Sequence, residues 1–71
     1  MAIVKVIEVI SSSEKSFEEA IKNALSEASK TVKNITSIYV KEMTVDVDNN
    51  QITSYRVNAK VSFVIEGKMD A

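Results

Sequence analysis

The sequence contains no cysteine and no histidine. The first absence excludes disulfides and thiolate chemistry, and the second excludes zinc sites built on histidine, imidazole bases and Ser-His or Cys-His nucleophile systems. The single glycine, Gly67, excludes a glycine-rich phosphate-binding loop. These absences argue against an enzyme, and a chain without cysteine fits a cytoplasmic location.

Long apolar runs and a charge excess of one sign are also missing. The opening segment MAIVKVIEVI is broken by Lys5 and Glu8, and it lacks the basic start and long apolar core of a signal peptide. No run approaches the ~20 apolar residues that cross a bilayer. Nine basic and ten acidic residues give a net charge of -1 without a basic patch. We therefore expect a cytoplasmic protein that binds neither membranes nor nucleic acid.

The 71 residues are enough for one domain, which we predict to span residues 1–71. Residues 3–10 form a short segment rich in β-branched side chains, which predicts a strand. Its apolar residues would fall on both faces of that strand, so we expect both faces to be buried. The end of the chain, residues 67–71, is expected to be frayed.

A helix is predicted after this first strand. Apolar residues recur at three- and four-residue spacing from Phe17 to Val32, which is the period of one helical face. Ser11–Ser13 is predicted to form a turn, with Ser13 as the N-cap. The helix should end near Lys33, where Asn34 tolerates the left-handed conformation of a helix exit.

Two more strands, 35–47 and 52–65, are predicted to form a hairpin around Asn49-Asn50, a pair that suits a turn with positive φ at both centres. In such a hairpin, residues whose numbers sum to 99 face each other, and a β-bulge would shift this register by one residue. The predicted pairs on the helix side are Ile38–Val61, Val40–Ala59 and Thr44–Tyr55. The predicted pairs on the other side are Ser37–Ser62, Tyr39–Lys60, Lys41–Asn58 and Met43–Arg56. The fold class is therefore α+β, in β-α-β-β order, with a three-stranded antiparallel sheet packed on one helix.

One helix covers only one face of this sheet. The second face would expose half of the first strand together with Tyr39, Met43, Val45 and Val64. Contiguous apolar surface of this kind usually marks an interface. The same face also carries several polar and charged residues, so we predict a homo-oligomer whose subunit contacts contain polar pockets.

Three groups on this surface have more than one interpretation. The segment starting at Asp46 resembles the beginning of a calcium loop, but Gln51 and Val57 stand where an EF-hand needs glycine and glutamate. It is a polar hairpin tip or a weak cation site that uses Asp46 or Asp48. Tyr39 either packs on a neighbouring subunit or stacks on a planar ligand, and Glu42 fits an intersubunit ion pair better than a catalytic base.

The segments SFEEAIKNALSEASKTVKNI, YVKEM and YRVNAKVSF, in this order, resemble the dodecins over residues 3–65. The resemblance implies a hollow homododecamer built from trimers, with the chain as its own partner. It also implies a non-enzymatic protein that stores or scavenges flavins such as riboflavin, lumichrome or FMN, bound in pairs on two-fold axes.

The dodecin motif changes at two ligand-contacting positions. The tryptophan that stacks on the flavin falls on Ser37, and the glutamine that binds its polar edge falls on Arg56, whereas an acidic residue near the flavin is kept as Glu42. Loss of an aromatic stacking partner costs about 1–3 kcal/mol per ring face, roughly tenfold or more in affinity. Tyr39 lies on the same face about 6–7 Å away and is one alternative stacking group. Arg56 is the other alternative, since a guanidinium can stack on a ring or attract an anionic ligand.

The resemblance thus implies a dodecin-like binding or storage protein for a flavin or similar small ligand, held by Ser37, Tyr39, Glu42 and Arg56. Some dodecin-like proteins without the tryptophan are described as binding calcium. The alternative is a structural shell, or a calcium-binding protein with a degenerate flavin site, in which Asp46 and Asp48 are the candidate metal ligands.

Overall fold

A computed structural model describes residues 2–66. Strand β1 spans Ala2–Ser13, helix α1 spans Phe17–Ala28, strand β2 spans Ile35–Asp48 and strand β3 spans Gln51–Glu66. The three strands form one sheet in the order β1-β3-β2, and both neighbouring pairs are antiparallel. The predicted β-α-β-β fold is confirmed. The predicted fraying of residues 67–71 lies outside the described residues, and the extent of the domain stays a prediction.

Strand β1 is longer than predicted. It continues through Ser11–Ser13, where Ser13 still lies opposite Tyr55 of β3. The prediction of a turn at these serines was wrong because β3 is long enough to offer a hydrogen-bonding partner to the whole segment. Helix α1 accordingly begins later, at Phe17.

Two serine side chains accept hydrogen bonds from backbone N–H groups at the start of the helix. Ser16, not Ser13, is the N-cap, and its hydroxyl oxygen accepts a hydrogen bond of 3.0 Å from the backbone N–H of Glu19. Ser13 is buried, and its hydroxyl oxygen accepts from the N–H of Lys15 at 2.9 Å in the connection that precedes the cap. A serine at either position can satisfy an N–H group, so the sequence pattern alone did not separate them.

Helix α1 ends at Ala28, five residues before the predicted end at Lys33. The hydroxyl groups of Ser29 and Thr31 donate to the carbonyls of Ser26 and Ala28, at 2.9 and 3.3 Å. These local bonds compete with continuation of the helix. The chain then leaves through Asn34, whose φ of 61° confirms the predicted left-handed conformation.

The core lies between α1 and the central strand β3. The buried side chains that the helix contributes are all small. The buried apolar residues are Ala20, Ala24 and Ala28 from the helix and Val57, Ala59, Val61 and Phe63 from β3. Phe17 and Tyr55 close one end of this core with an edge-to-face ring contact of 5.2 Å between centroids.

The β2–β3 hairpin has the predicted turn but only part of the predicted register. Asn49 and Asn50 have φ of 55° and 62°, as expected for a turn with positive φ at both centres. The predicted pairs from Ser37 to Val40 are observed. Between Val40 and Glu42 the register shifts by one residue, and it shifts back between Asp46 and Val47.

This β-bulge at Lys41 overturns three predicted pairs: Lys41–Asn58, Met43–Arg56 and Thr44–Tyr55. The observed pairs are Glu42–Asn58, Met43–Val57, Thr44–Arg56 and Val45–Tyr55. Residues that face each other across antiparallel strands point to the same side of the sheet, so Met43 and Val45 lie on the helix side. Glu42, Thr44 and Asp46 lie on the side away from the helix.

We predict that Ser16→Ala destabilises the protein by about 1 kcal/mol, because the mutation leaves the N–H of Glu19 without its cap. Ser26→Ala is the matched control, since Ser26 lies exposed within the same helix. Urea unfolding at a fixed chain concentration measures both variants. Equal stabilities of the two variants would contradict the assignment of Ser16 as the cap.

Candidate functional site on the open face of the sheet

The open face is the side of the sheet that points away from α1. Its side chains lie in rows that cross β1, β3 and β2, and each row is defined by the observed strand pairs. The rows are Val6–Ser62–Ser37, Glu8–Lys60–Tyr39, Ile10–Asn58–Glu42 and Ser12–Arg56–Thr44.

Large apolar side chains on the open face are in contact with solvent in the single chain. Ile10 is 67% exposed and Tyr39 is 65% exposed, and both belong to adjacent rows. Val4 and Val6 extend this apolar surface along β1. A surface of this composition is typical of an interface or a ligand site rather than of a solvated face.

Charged side chains interrupt the apolar surface in pairs. The ammonium nitrogen of Lys41 on β2 lies 3.6 Å from a carboxylate oxygen of Glu8 on β1. This ion pair therefore spans the central strand β3. A guanidinium nitrogen of Arg56 lies 3.0 Å from one carboxylate oxygen of Asp46. The second oxygen of Asp46 accepts a hydrogen bond of 2.7 Å from the hydroxyl of Ser54.

Both ion pairs are about half exposed, so each contributes roughly 0–1 kcal/mol to stability. These ion pairs orient the charged side chains of the site. Asp46, held by Ser54, fixes the guanidinium of Arg56 above the sheet.

A cleft of about 250 Å³ lies among the charged and apolar groups. It is lined by Ile10, Glu42, Thr44, Arg56 and Asn58. A volume of this size is just below the ~300–1,000 Å³ of typical small-molecule pockets. The cleft of one chain can therefore hold part of a ring system, and the remainder requires a second surface placed against it.

One polar side-chain atom of Asn58 lacks a hydrogen bond. Its side-chain oxygen is buried and has no hydrogen-bond partner among the described residues. Burying an acceptor without a donor costs about 1–3 kcal/mol. Asn58 stands on the central strand between Ile10 and Glu42, so this acceptor lies in the middle of the row.

The structure brings together two of the four predicted ligand-binding residues. Glu42 and Arg56 both line the cleft. Tyr39 lies in the next row, and Ser37 lies one row further, so neither lines it. The ligand-binding role of all four residues stays a prediction.

Three lining residues were absent from the predicted site: Ile10, Thr44 and Asn58. Asn58 was predicted on the correct face, and a polar residue at the centre of a central strand was the signal that could have singled it out. To predict Ile10 in the lining, the register of β1 against β3 would have to be known. To predict Thr44 there, the bulge at Lys41 would have to be known.

The predicted cation ligands lie apart from the cleft. Both carboxylate oxygens of Asp46 are engaged by Arg56 and Ser54, and Asp48 is exposed opposite Gln51 at the end of the hairpin. Among residues 3–65, whose side chains the structure describes, no three acidic side chains come close enough together to hold a metal ion. The metal site at Asp46 and Asp48 stays a prediction.

Helix α1 is too short and too polar to cross a membrane.

Comparison with known proteins places this geometry in context. A family model described as Dodecin matches residues 3–66. Among curated proteins, none matches the sequence at a significant level.

Solved dodecin structures are similar over nearly the whole chain. A mutant of the Thermus thermophilus dodecin is 30% identical, with a TM-score of 0.88 over 93% of this chain and 98% of that one. The dodecin from Streptomyces davaonensis is 26% identical, with a TM-score of 0.86 over 92% of this chain and 96% of that one.

A third similar structure is the calcium dodecin from Mycobacterium tuberculosis, which is described as calcium chelating with a novel calcium-binding site. It is 32% identical, with a TM-score of 0.78 over 94% of this chain and 96% of that one. The family match over residues 3–66 and the shared β-α-β-β fold lead to one conclusion: the chain belongs to the dodecin family.

Proposed function

We propose that the protein is a cytoplasmic, non-enzymatic binding or storage protein that assembles from trimers into a homododecamer and holds a flavin or a similar planar ligand where chains meet. The observation that carries this proposal is the open face, where exposed apolar side chains surround a cleft with charged and amide groups.

The dimensions of the chain support the assembly. Its radius of gyration is 15.0 Å, whereas a compact domain of this length has a value of about 11 Å. The principal extents are 58 × 19 × 13 Å, so the chain is long and thin. A chain of this shape has little interior of its own, and association with further copies supplies the missing burial.

The chemistry of the cleft supports a planar polar ligand. Arg56 offers N–H donors, Glu42 and Asn58 offer acceptors, and Ile10 offers an apolar wall. A flavin ring system has an apolar side and an edge with both donors and acceptors, which matches this set. Tyr39, in the adjacent row, supplies the aromatic ring that Ser37 cannot.

The same residues support binding without catalysis. The chain has no histidine or cysteine to act as a base or nucleophile near neutral pH. Of the two charged groups in the cleft, the guanidinium of Arg56 has N–H donors and no acceptor. Glu42 alone does not form an acid–base pair.

The assembly predicts a particle of about 94 kDa, twelve times the 7.8 kDa of one chain. Native mass spectrometry of the protein as purified measures copy number and cargo together. Ile10→Lys places a charge on the open face and should shift the mass to smaller assemblies, whereas Ser26→Lys on the exposed side of α1 should not. A folded chain of 7.8 kDa at micromolar concentration would contradict the assembly.

Flavin binding is tested by quenching of riboflavin and FMN fluorescence. We expect a Kd no weaker than tens of micromolar. Tyr39→Ala should weaken binding by about fivefold or more, since stacking on one ring contributes about 1–3 kcal/mol. Tyr39→Phe keeps the ring and should bind like the unmodified protein. The absence of quenching at tens of micromolar would remove flavin as the ligand.

Calcium is a second candidate, favoured by the 32% identical calcium dodecin of Mycobacterium tuberculosis. Asp46 is already engaged, and the described residues of one chain gather no third acidic ligand. A calcium site at the hairpin tip would therefore combine Asp48 with groups from another copy.

If calcium binds there, it should raise the melting temperature by several degrees, and a chelator should reverse the shift. Asp48→Asn should abolish the effect, whereas Glu27→Gln, near the far end of α1, should keep it. An unchanged melting temperature rejects the calcium site. A particle of about 94 kDa that binds neither flavin nor calcium would be a structural shell.

A further inference from the structure

The open face carries three acidic and three basic side chains. Four of them form two ion pairs, with N–O distances of 3.6 and 3.0 Å. The two that remain are Glu42 and Lys60, and neither has an ion-pair partner within residues 3–65. The face of one chain therefore presents one negative and one positive group that are not engaged.

Lys60 stands on the central strand, in the middle of the open face. Glu8 lies directly opposite it on β1, but the carboxylate of Glu8 is engaged by Lys41 at 3.6 Å. Lys60 is half-buried in the single chain. Because a charge that is partly removed from water is stabilised by an opposite charge, its ammonium group gains from an acceptor outside the chain.

Glu42 is in the corresponding position for a negative charge. It lines the cleft together with Arg56, yet a guanidinium nitrogen of Arg56 is held by Asp46 at 3.0 Å. Glu42 and Lys60 are diagonal neighbours on adjacent strands, but within one chain they do not form an ion pair with each other. Its carboxylate is thus available to a cation from another molecule.

We propose that Glu42 of each chain forms an ion pair with Lys60 of a second copy, whose open face packs against its own around a two-fold axis. This inference rests on the assembly in the proposed function and assigns one of its contacts. A two-fold contact is isologous, so a contact between two different residues always forms twice. One acidic and one basic group per chain then give two ion pairs, and neither charge is left over.

A second copy is the partner that satisfies both groups. An acidic molecule would engage Lys60 and be repelled by Glu42, and a basic molecule would do the reverse. A second copy offers one group of each sign, and its apolar side chains would cover Ile10 and Tyr39, which are 67% and 65% exposed. Complementary charge and complementary apolar surface therefore point to the same partner.

The same contact would complete the cleft. Glu42 lines the cleft, so the ammonium group of the second copy would lie at its edge, and the open face of that copy would provide the missing wall. A carboxylate has two oxygens. Glu42 can therefore accept from that ammonium group and from a bound ligand at the same time.

The test reverses each charge and measures particle size by sedimentation velocity at low ionic strength, where screening is weak. Glu42→Lys and Lys60→Glu each place like charges opposite each other at both positions of the contact. Each variant alone should shift most of the protein from about 94 kDa to smaller assemblies. The matched controls are Glu18→Lys and Lys22→Glu, which reverse an exposed pair on α1 and should keep the particle at about 94 kDa.

Co-expression separates a pair between copies from a pair within one chain. When the Glu42→Lys and Lys60→Glu chains are made in the same cell, unlike chains are complementary at the contact, and particles of about 94 kDa that contain both should return. The double variant Glu42→Lys/Lys60→Glu should also assemble. A pair within one chain would be restored in the double variant and not by co-expression, and that result would overturn the proposal.

The remaining outcomes distinguish this contact from the assembly itself. If the unmodified protein forms the 94 kDa particle and both single variants form it equally well, the ion pair is rejected and the assembly stands. If neither co-expression nor the double variant restores a lost particle, the pair is rejected in the same way. An unmodified protein that remains a single chain of 7.8 kDa rejects the assembly and this contact together.

Discussion

Helix α1 is much shorter than the sheet on which it packs. Helix α1 has twelve residues, a length of about 18 Å, whereas the sixteen residues of β3 extend over about 53 Å. The helix therefore shields about a third of the central strand, and on one face only. The buried residues of β3 are confined to the stretch from Val57 to Phe63.

The surface that the helix leaves uncovered is apolar at several places. Val47 and Ile52 near the hairpin tip are exposed, as are Val4, Val6 and Ile10 on β1. A chain of this kind gains little free energy of burial by folding alone, because hydrophobic stabilisation scales with the apolar area removed from water. Association is thus part of the proposed folding energetics, and a ligand held between chains would take part in the same balance.

The bulge at Lys41 determines which side chains of β2 lie on the open face. In an uninterrupted register, even-numbered residues of β2 would face the helix, including Glu42, Thr44 and Asp46. The extra residue reverses the faces of this segment, which brings Asp46 next to Arg56 and Glu42 next to Asn58. It also turns Met43 and Val45 toward the helix side, where Met43 remains 52% exposed. One inserted residue thus sorts polar from apolar side chains and assembles the cleft.

The sequence predicted those features that depend on local chemistry. Element order followed from hydrophobic period, and the left-handed conformations at Asn34, Asn49 and Asn50 followed from the tolerance of asparagine for positive φ. The bulge was not predictable in this way, because it is a property of how β2 pairs with β3 and not of the residues around Lys41 alone. The lining of the cleft was predicted incompletely for the same reason, since Ile10 reaches the cleft through the pairing of β1 with β3.

The replacement of the stacking tryptophan by Ser37 changes how such a site can select its ligand. Stacking is tolerant, because every planar ring has a face, whereas hydrogen bonds at an edge distinguish one heterocycle from another. Under the proposed function, the missing indole shifts a larger share of the binding free energy to the ring edge, where Asp46 holds Arg56. Such a site would bind planar rings in general less tightly and would still discriminate among their edges.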